Sequence, residues 1–113
     1  MKLIIVIIQP GQLPDVKNAL FESGIRQMTA STVMGTAPKS EQQQYRGVQR
    51  EITLFNRTRL EIAVEDSLLE TAIESINKGA KESGGSGKIF VTELYDAMTV
   101  WSGDRGEDSL KQE

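Results

Sequence analysis

Leu60-Glu61-Ile62-Ala63-Val64-Glu65-Asp66-Ser67-Leu68-Leu69-Glu70-Thr71-Ala72-Ile73-Glu74-Ser75-Ile76 is the stretch that decides the fold. Leu60, Ile62 and Val64 recur with period two, the mark of a strand with one buried face. This strand material begins at Glu51–Phe55 and runs through Val64. From Leu69 the period changes. Leu69, Ala72, Ile73, Ile76 and Ala80 share one face of a helix, with charges on the opposite side. Asp66 or Ser67 can cap that helix, and Ser67-x-x-Glu70 has the spacing of a capping box. Gly84-Gly85 closes it, and Lys88–Thr92 reads as the next strand.

The N-terminal half follows the same plan. Leu3-x-Ile5-x-Ile7 parallels Leu60-x-Ile62-x-Val64, and Ala19-Leu20-x-Glu22-Ser23 parallels Ala72-Ile73-Glu74-Ser75. Pro14 suits a first helical turn, Val16, Ala19 and Leu20 recur at helical spacing, and Gly24 stops the helix. Met28–Met34 supplies a second strand ended by Gly35. Met98, Val100 and Trp101 suggest a further short strand before a flexible polar tail, about Gly103–Glu113. Two βαβ units in residues 1–113 make one α+β domain of ferredoxin-like βαββαβ order. Both helices then cover one face of the sheet. Strands rich in Leu, Ile and Val do not leave the other face in water, so self-association is expected to cover it; the alternative is a monomer whose second face is polar.

Composition narrows the chemistry. Of 113 residues, 13 are Lys or Arg and 16 are Asp or Glu, giving a formal charge of −3 and a pI near 5.0. That balance argues against a general nucleic-acid or anionic-membrane surface. There is no Cys and no His, so thiolate catalysis, Ser-His-Asp chemistry and most transition-metal sites are excluded. No pair of carboxylates has a spacing that singles it out for acid–base work. The expectation is a binding protein, not an enzyme, with no metal. Leu3–Ile8 is the longest apolar run and is too short to span a bilayer. It is also a poor signal peptide, so the expected location is the cytoplasm.

Two segments stand out as functional. Thr36–Arg50 (TAPKSEQQQYRGVQR) has no hydrophobic periodicity, and a loop that long is usually functional or disordered. It reads either as a solvated hairpin insertion or as a mobile arm that docks into a partner. In Ser83-Gly84-Gly85-Ser86-Gly87-Lys88, glycines let backbone N–H groups approach a phosphate and Lys88 adds charge. The spacing is not that of a Walker A loop, because Glu82 and Ile89 occupy positions where Gly and Ser or Thr are required. A helix-to-strand turn is the plainer reading. Arg57, Arg59 and Glu61 alternate along a strand and share a face. Trp101, the only tryptophan, suits packing or an interface, and an indole can also stack on a base.

Taken together, these segments resemble the PII family of signal-transduction proteins from Met1 to about Leu110. The resemblance rests on Tyr45-Arg46-Gly47, Gly85-x-Gly87-Lys88-Ile89-Phe90-Val91, Pro14-Asp15-Val16-Lys17-x-Ala19-Leu20, Gly24-Ile25, Met28-Thr29, Val33-x-Gly35 and Gly103-Asp104-Arg105-Gly106-Glu107-Asp108. It implies a homotrimer with adenine nucleotide (ATP or ADP, AMP as a competitor) in each inter-subunit cleft, held as an effector and not as a tight cofactor. It implies that Gly85, Ser86, Gly87 and Lys88 form the phosphate-binding turn and that Ile7, Glu61 and Ala63 are nucleotide-facing sheet positions. Met28 and Thr29 then come from the neighbouring subunit, and Gly35 sits at the loop base. It further implies that Thr36–Arg50 is the T-loop, with Lys39, Gln43, Tyr45, Arg46, Gly47 and Arg50 as contacts to a transporter or metabolic enzyme in nitrogen and carbon metabolism.

The departures from the family pattern are as informative. Arg50 stands where many members carry the uridylylated tyrosine, and Val48 where some carry a phosphorylated serine. The loop is one residue short, and the glutamine that helps hold Mg-ATP and 2-oxoglutarate has no counterpart near Pro38-Lys39. Arg57 replaces the lysine that meets the 2-oxoglutarate carboxylate, and Ser86 an often acidic residue. Thr99 and Trp101 replace two phosphate-clamping arginines. The expectation is a PII-like regulator whose adenylate reading has changed. The alternative is a PII-like trimer for another small ligand, such as bicarbonate or a transported metabolite.

Overall fold

The computed structural model describes residues 1–37 and 52–111. Strand β1 (Lys2–Ile8) passes through a 3-10 turn (Pro10–Gln12) into helix α1 (Leu13–Glu22), and β2 (Thr29–Gly35) follows. Strand β3 (Phe55–Val64) passes through a second 3-10 turn (Asp66–Leu68) into helix α2 (Leu69–Glu82), and then comes β4 (Lys88–Glu93). The sheet order is β2-β3-β1-β4, with every neighbouring pair antiparallel. This is the βαββαβ ferredoxin-like arrangement that the two half-patterns imply.

Alternation along the central strands separates the two faces. Ile4, Val6 and Ile8 of β1 and Leu60, Ile62 and Val64 of β3 are buried. They pack on Val16 and Leu20 of α1, Ile25 just beyond it, and Ala72 and Ile76 of α2. The helices lie very close where they cross. A Cβ at Gly79 would meet Val16 Cα at 2.6 Å and Asp15 O at 2.7 Å, so glycine is what permits that approach. Beside it, Ser23 and Ser75 share a 2.6 Å hydrogen bond between the hydroxyls of the two elements, and Ser75 also donates to Thr71 O at 2.8 Å.

Two expectations need correction. Neither N-cap position leading into α2, Glu65 for the 3-10 turn or Leu68 for the helix, carries a side-chain cap. Asp66 instead accepts from the N-terminal amine at 2.9 Å, and Lys2 Nζ lies 3.3 Å away. A fixed ammonium group outbids the helix amides for that carboxylate. Met98–Trp101 is not a strand of the sheet either. Residues 97–106 fold back as a small hairpin with a single bridge between Met98 and Arg105. Thr99 N–H donates to Asp104 O and Gly106 N–H to Ala97 O, both at 2.9 Å, and Arg105 pairs with Asp96. Beyond it, Gly106–Leu110 forms a 3-10 turn that buries Leu110, and Gln27 Nε2 donates to Lys111 O at 3.3 Å.

Candidate functional site

The face without helices collects the candidate residues in rows, because the register aligns them across the strands. One row is Ser31, Arg59, Ile7 and Lys88; the next is Thr29, Glu61, Ile5 and Phe90. Ala63, Leu3 and Thr92 form a third, and Val33 stands opposite Arg57. Arg59 and Glu61 pair at 3.1 Å in the middle of this face, while Leu3, Ile5 and Ile7 remain half-buried beside them.

At one end of the face a cleft of about 390 Å³ is lined by Ile7, Ile8, Thr36, Ala37, Arg57, Ser86, Gly87 and Lys88. Lys88 makes no ion pair among the described residues, so its charge faces the cleft uncompensated by a carboxylate. Arg57 lies over the Phe55 ring, 5.6 Å from its centroid, and donates to Asn56 O at 3.0 Å. Gly87 has φ 139°, and a Cβ there would sit 2.9 Å from both Ile7 O and Ile8 Cγ2. Only glycine lets the turn rest on the end of β1. Gly85 contributes differently. Its N–H donates to Ala80 O at 2.8 Å, so that amide closes α2 and leaves the cleft wall to Ser86, Gly87 and Lys88. Gly35 ends β2 beside the cleft, its missing Cβ 3.5 Å from Arg57 Cγ.

The remaining candidates do not reach this cleft within one chain. Met28, Thr29, Glu61 and Ala63 line a second one of about 450 Å³, with Leu3, Arg26, Gln27 and Leu110. Thr99 and Trp101 line a third of about 480 Å³ at the hairpin, with Ser102, Asp104 and Asp108 among its walls. Lys39, Gln43, Tyr45, Arg46, Gly47 and Arg50 lie outside the described residues. Ile8, Thr36 and Ala37 also line the first cleft; Thr36 and Ala37 belong to the loop segment that the sequence marks, but not as contact residues. Ile8 reads from sequence as core, which it also is, and nothing in Thr36-Ala37 distinguishes it from the loop that follows.

The electrostatic perturbations sit away from the cleft. The N-terminal amine, then Lys2, hold Asp66 below the usual carboxylate range, and the hydrogen bond to Glu93 raises Lys2. Arg105, then the Ala97 amide, hold Asp96 down. They lie at the chain's start and at the hairpin, on exposed groups. Among the described residues no helix is long and apolar enough to cross a membrane.

Fold and cleft together define a ferredoxin-like domain with a recess lined by Arg57 and Lys88 at one end of an open sheet. The family model described as nitrogen regulatory protein P-II matches residues 1–104. The nitrogen regulatory protein P-II of Azospirillum brasilense is 37% identical over 97% of this chain and its whole length. The protein GlnK of Escherichia coli is 34% identical over the same share of this chain and its whole length. Arabidopsis thaliana PII, solved bound to citrate, superposes with a TM-score of 0.77 at 30% identity, covering 97% of this chain and 89% of that one. The chain belongs to the P-II family of nitrogen regulatory signal-transduction proteins. Members of this family are regulatory proteins and not enzymes; they form oligomers and act on partners such as transporters and enzymes.

Proposed function

We propose that this chain is a cytoplasmic homotrimer that binds adenine nucleotide and regulates a transporter or metabolic enzyme through residues 36–50. The observation that carries the reading is the recess where Ser86, Gly87 and Lys88 meet Ile7 and Arg57. An ammonium and a guanidinium there suit phosphate oxygens, and Ile7 offers an apolar wall to a base. Oligomerisation supplies the rest. Among the described residues, most of the large apolar side chains left exposed fall between Phe90 and Trp101, on an edge strand and the segment after it, where a neighbouring subunit can cover them. In such a trimer one subunit's Met28, Thr29, Thr99 and Trp101 complete the next subunit's recess. With Thr99 and Trp101 in place of two arginines, the outer phosphates lose charged donors, each worth roughly 1.5–3 kcal/mol. Discrimination between ATP and ADP is therefore weak.

Calorimetry with ATP, ADP and AMP, each with and without Mg²⁺ and 2-oxoglutarate, tests this. ATP and ADP should bind within about tenfold of each other, and Lys88→Gln should weaken both by tenfold or more. ATP binding a hundredfold tighter than ADP, or a strong requirement for 2-oxoglutarate, would restore an ordinary adenylate sensor. A second reading is favoured by Arg57, which can hold a carboxylate bidentately in the same recess. On that reading a small anion such as bicarbonate or a transported carboxylate gives heat where adenylates give none. Citrate, bound in the Arabidopsis relative, is the natural first probe.

A further inference from the structure

Gln12 is wholly buried, with no exposed surface, in a turn that composition alone marks as a surface connection. Both ends of its amide are used. Its Oε1 accepts from Gln9 N–H at 2.8 Å, and its Nε2 donates to Ala80 O at 3.1 Å. The first bond fixes the turn that leaves β1. The second crosses 68 positions of sequence to the last full turn of α2.

Ala80 O is an unusual meeting point. It also accepts from Ser83 N–H at 3.3 Å and from Gly85 N–H at 2.8 Å. It is therefore the carbonyl from which the glycine turn departs, and Gln12 is the one side chain among the described residues seen to bond to it. Seven residues beyond Ala80 the turn settles on β1 again at Gly87, where an added Cβ would sit 2.9 Å from both Ile7 O and Ile8 Cγ2. Ser86, Gly87 and Lys88 are thus held from two sides: by the end of β1 directly, and by Gln12 through the helix terminus. Without the Gln12 bond the turn keeps its own bonds to Ala80 O and its pairing at Lys88, but Ala80 O loses its tie to the connection that leaves β1.

We infer that Gln12 is a positioning residue for the phosphate-holding turn, setting where Gly87 and Lys88 meet a bound anion without touching that anion itself. The inference rests on the nucleotide reading above for what occupies the recess, but its geometric part does not. Removing the amide's donor should loosen the turn while leaving the apolar wall at Ile7 as it was. The affected quantity is the phosphate share of binding.

Two variants separate this from a purely structural role. Gln12→Glu keeps the size and the acceptor toward Gln9 N–H but cannot donate to Ala80 O when ionised. Gln12→Met keeps the volume and removes both bonds. Each is compared with the wild-type trimer by calorimetry with ATP and with adenosine, and by hydrogen exchange at the Gly85 amide in the ligand-free protein. Both variants should weaken ATP roughly five- to tenfold, the worth of one hydrogen bond, with adenosine changed less than about twofold. Gly85 exchange should accelerate by a similar factor. Equal losses for ATP and adenosine, or unchanged Gly85 exchange in a folded variant, would overturn the inference. Should either variant fail to fold, the other still reports the exchange rate; failure of both to fold would make Gln12 a core residue and overturn it too. A wild-type protein that binds no ATP would overturn the nucleotide reading instead, and the Gly85 exchange would still decide the role of Gln12.

Discussion

The two faces of the same sheet obey different rules, although the same four strands build both. On the covered face, Ile4, Val6, Ile8, Leu60, Ile62 and Val64 form an unbroken apolar layer against the helices. On the open face, Leu3, Ile5 and Ile7 are interleaved with Arg59, Glu61 and Lys88, and all of the sheet's candidate contacts lie there. A residue's parity along β1 therefore decides whether it packs in the core or stands on the open face with the candidate contacts. The covered face needs only volume and hydrophobicity; the open face needs named groups in register.

The strongest way to break this comparison is to change neighbouring residues of β1. Ile4→Ala should cost roughly 2–5 kcal/mol and lower the melting temperature at every protein concentration. If the proposed trimer forms through the open face, Ile5→Asp should leave a folded chain whose mass by light scattering is 12.5 kDa where the wild type gives three times that. If Ile5→Asp unfolds the chain outright, the open face is part of the core and the distinction fails. Next in size is Gly79→Ala, which puts a methyl group against the Val16 backbone. Overpacking of this kind costs roughly 1–3 kcal/mol, read by denaturant midpoint, and should not alter assembly once the chain is folded.

How far the sequence discloses the two faces also differs. The covered face is legible because burial enforces a period: alternate residues in β1 and β3, and Ala72 with Ile76 in α2, declare their side. Ile7, Arg57, Gly87 and Lys88 do come together, since strand parity and the glycine turn place them. The hairpin at 97–106 was not legible, because backbone hydrogen bonds and an Asp96–Arg105 pair hold it and no apolar period marks it. Asp66 reads as a cap from its local sequence, because nothing local reveals that the N-terminal amine reaches it. Buried Gln12 escaped notice for a related reason: its partner at Ala80 is distant in sequence.

A smaller effect sharpens the reading of the open face. Trp101→Arg combined with Thr99→Arg should restore preference for ATP over ADP by at least an order of magnitude, measured by calorimetry. If the preference does not move, these positions do not reach the recess of any subunit.

The smallest expected effect is on pH. Asp66 is depressed by the N-terminal amine and Lys2, so its folded value lies below its unfolded one. Its contribution is present above the ordinary carboxylate pKa and is lost as pH falls through the depressed value. Lys2 is raised, so its contribution is present below the ordinary lysine pKa and is lost as pH rises through the raised value. Both groups are exposed, and such pairs contribute little. Melting curves of wild type and Asp66→Asn should differ slightly near neutrality and converge at strongly acidic pH. A gap that persists in acid would mean that Asp66 matters by packing and not by charge.

The hairpin tip has one more consequence. Trp101 is the only indole in the chain and is 98% exposed in the isolated subunit. Its fluorescence therefore comes from a single, hydrated position, with no second emitter to subtract. A blue shift on concentrating the protein would report a neighbour closing over the hairpin, and quenching on adding nucleotide would report an occupied recess. Under the proposed function, the protein would thus carry its own optical gauge of assembly and occupancy.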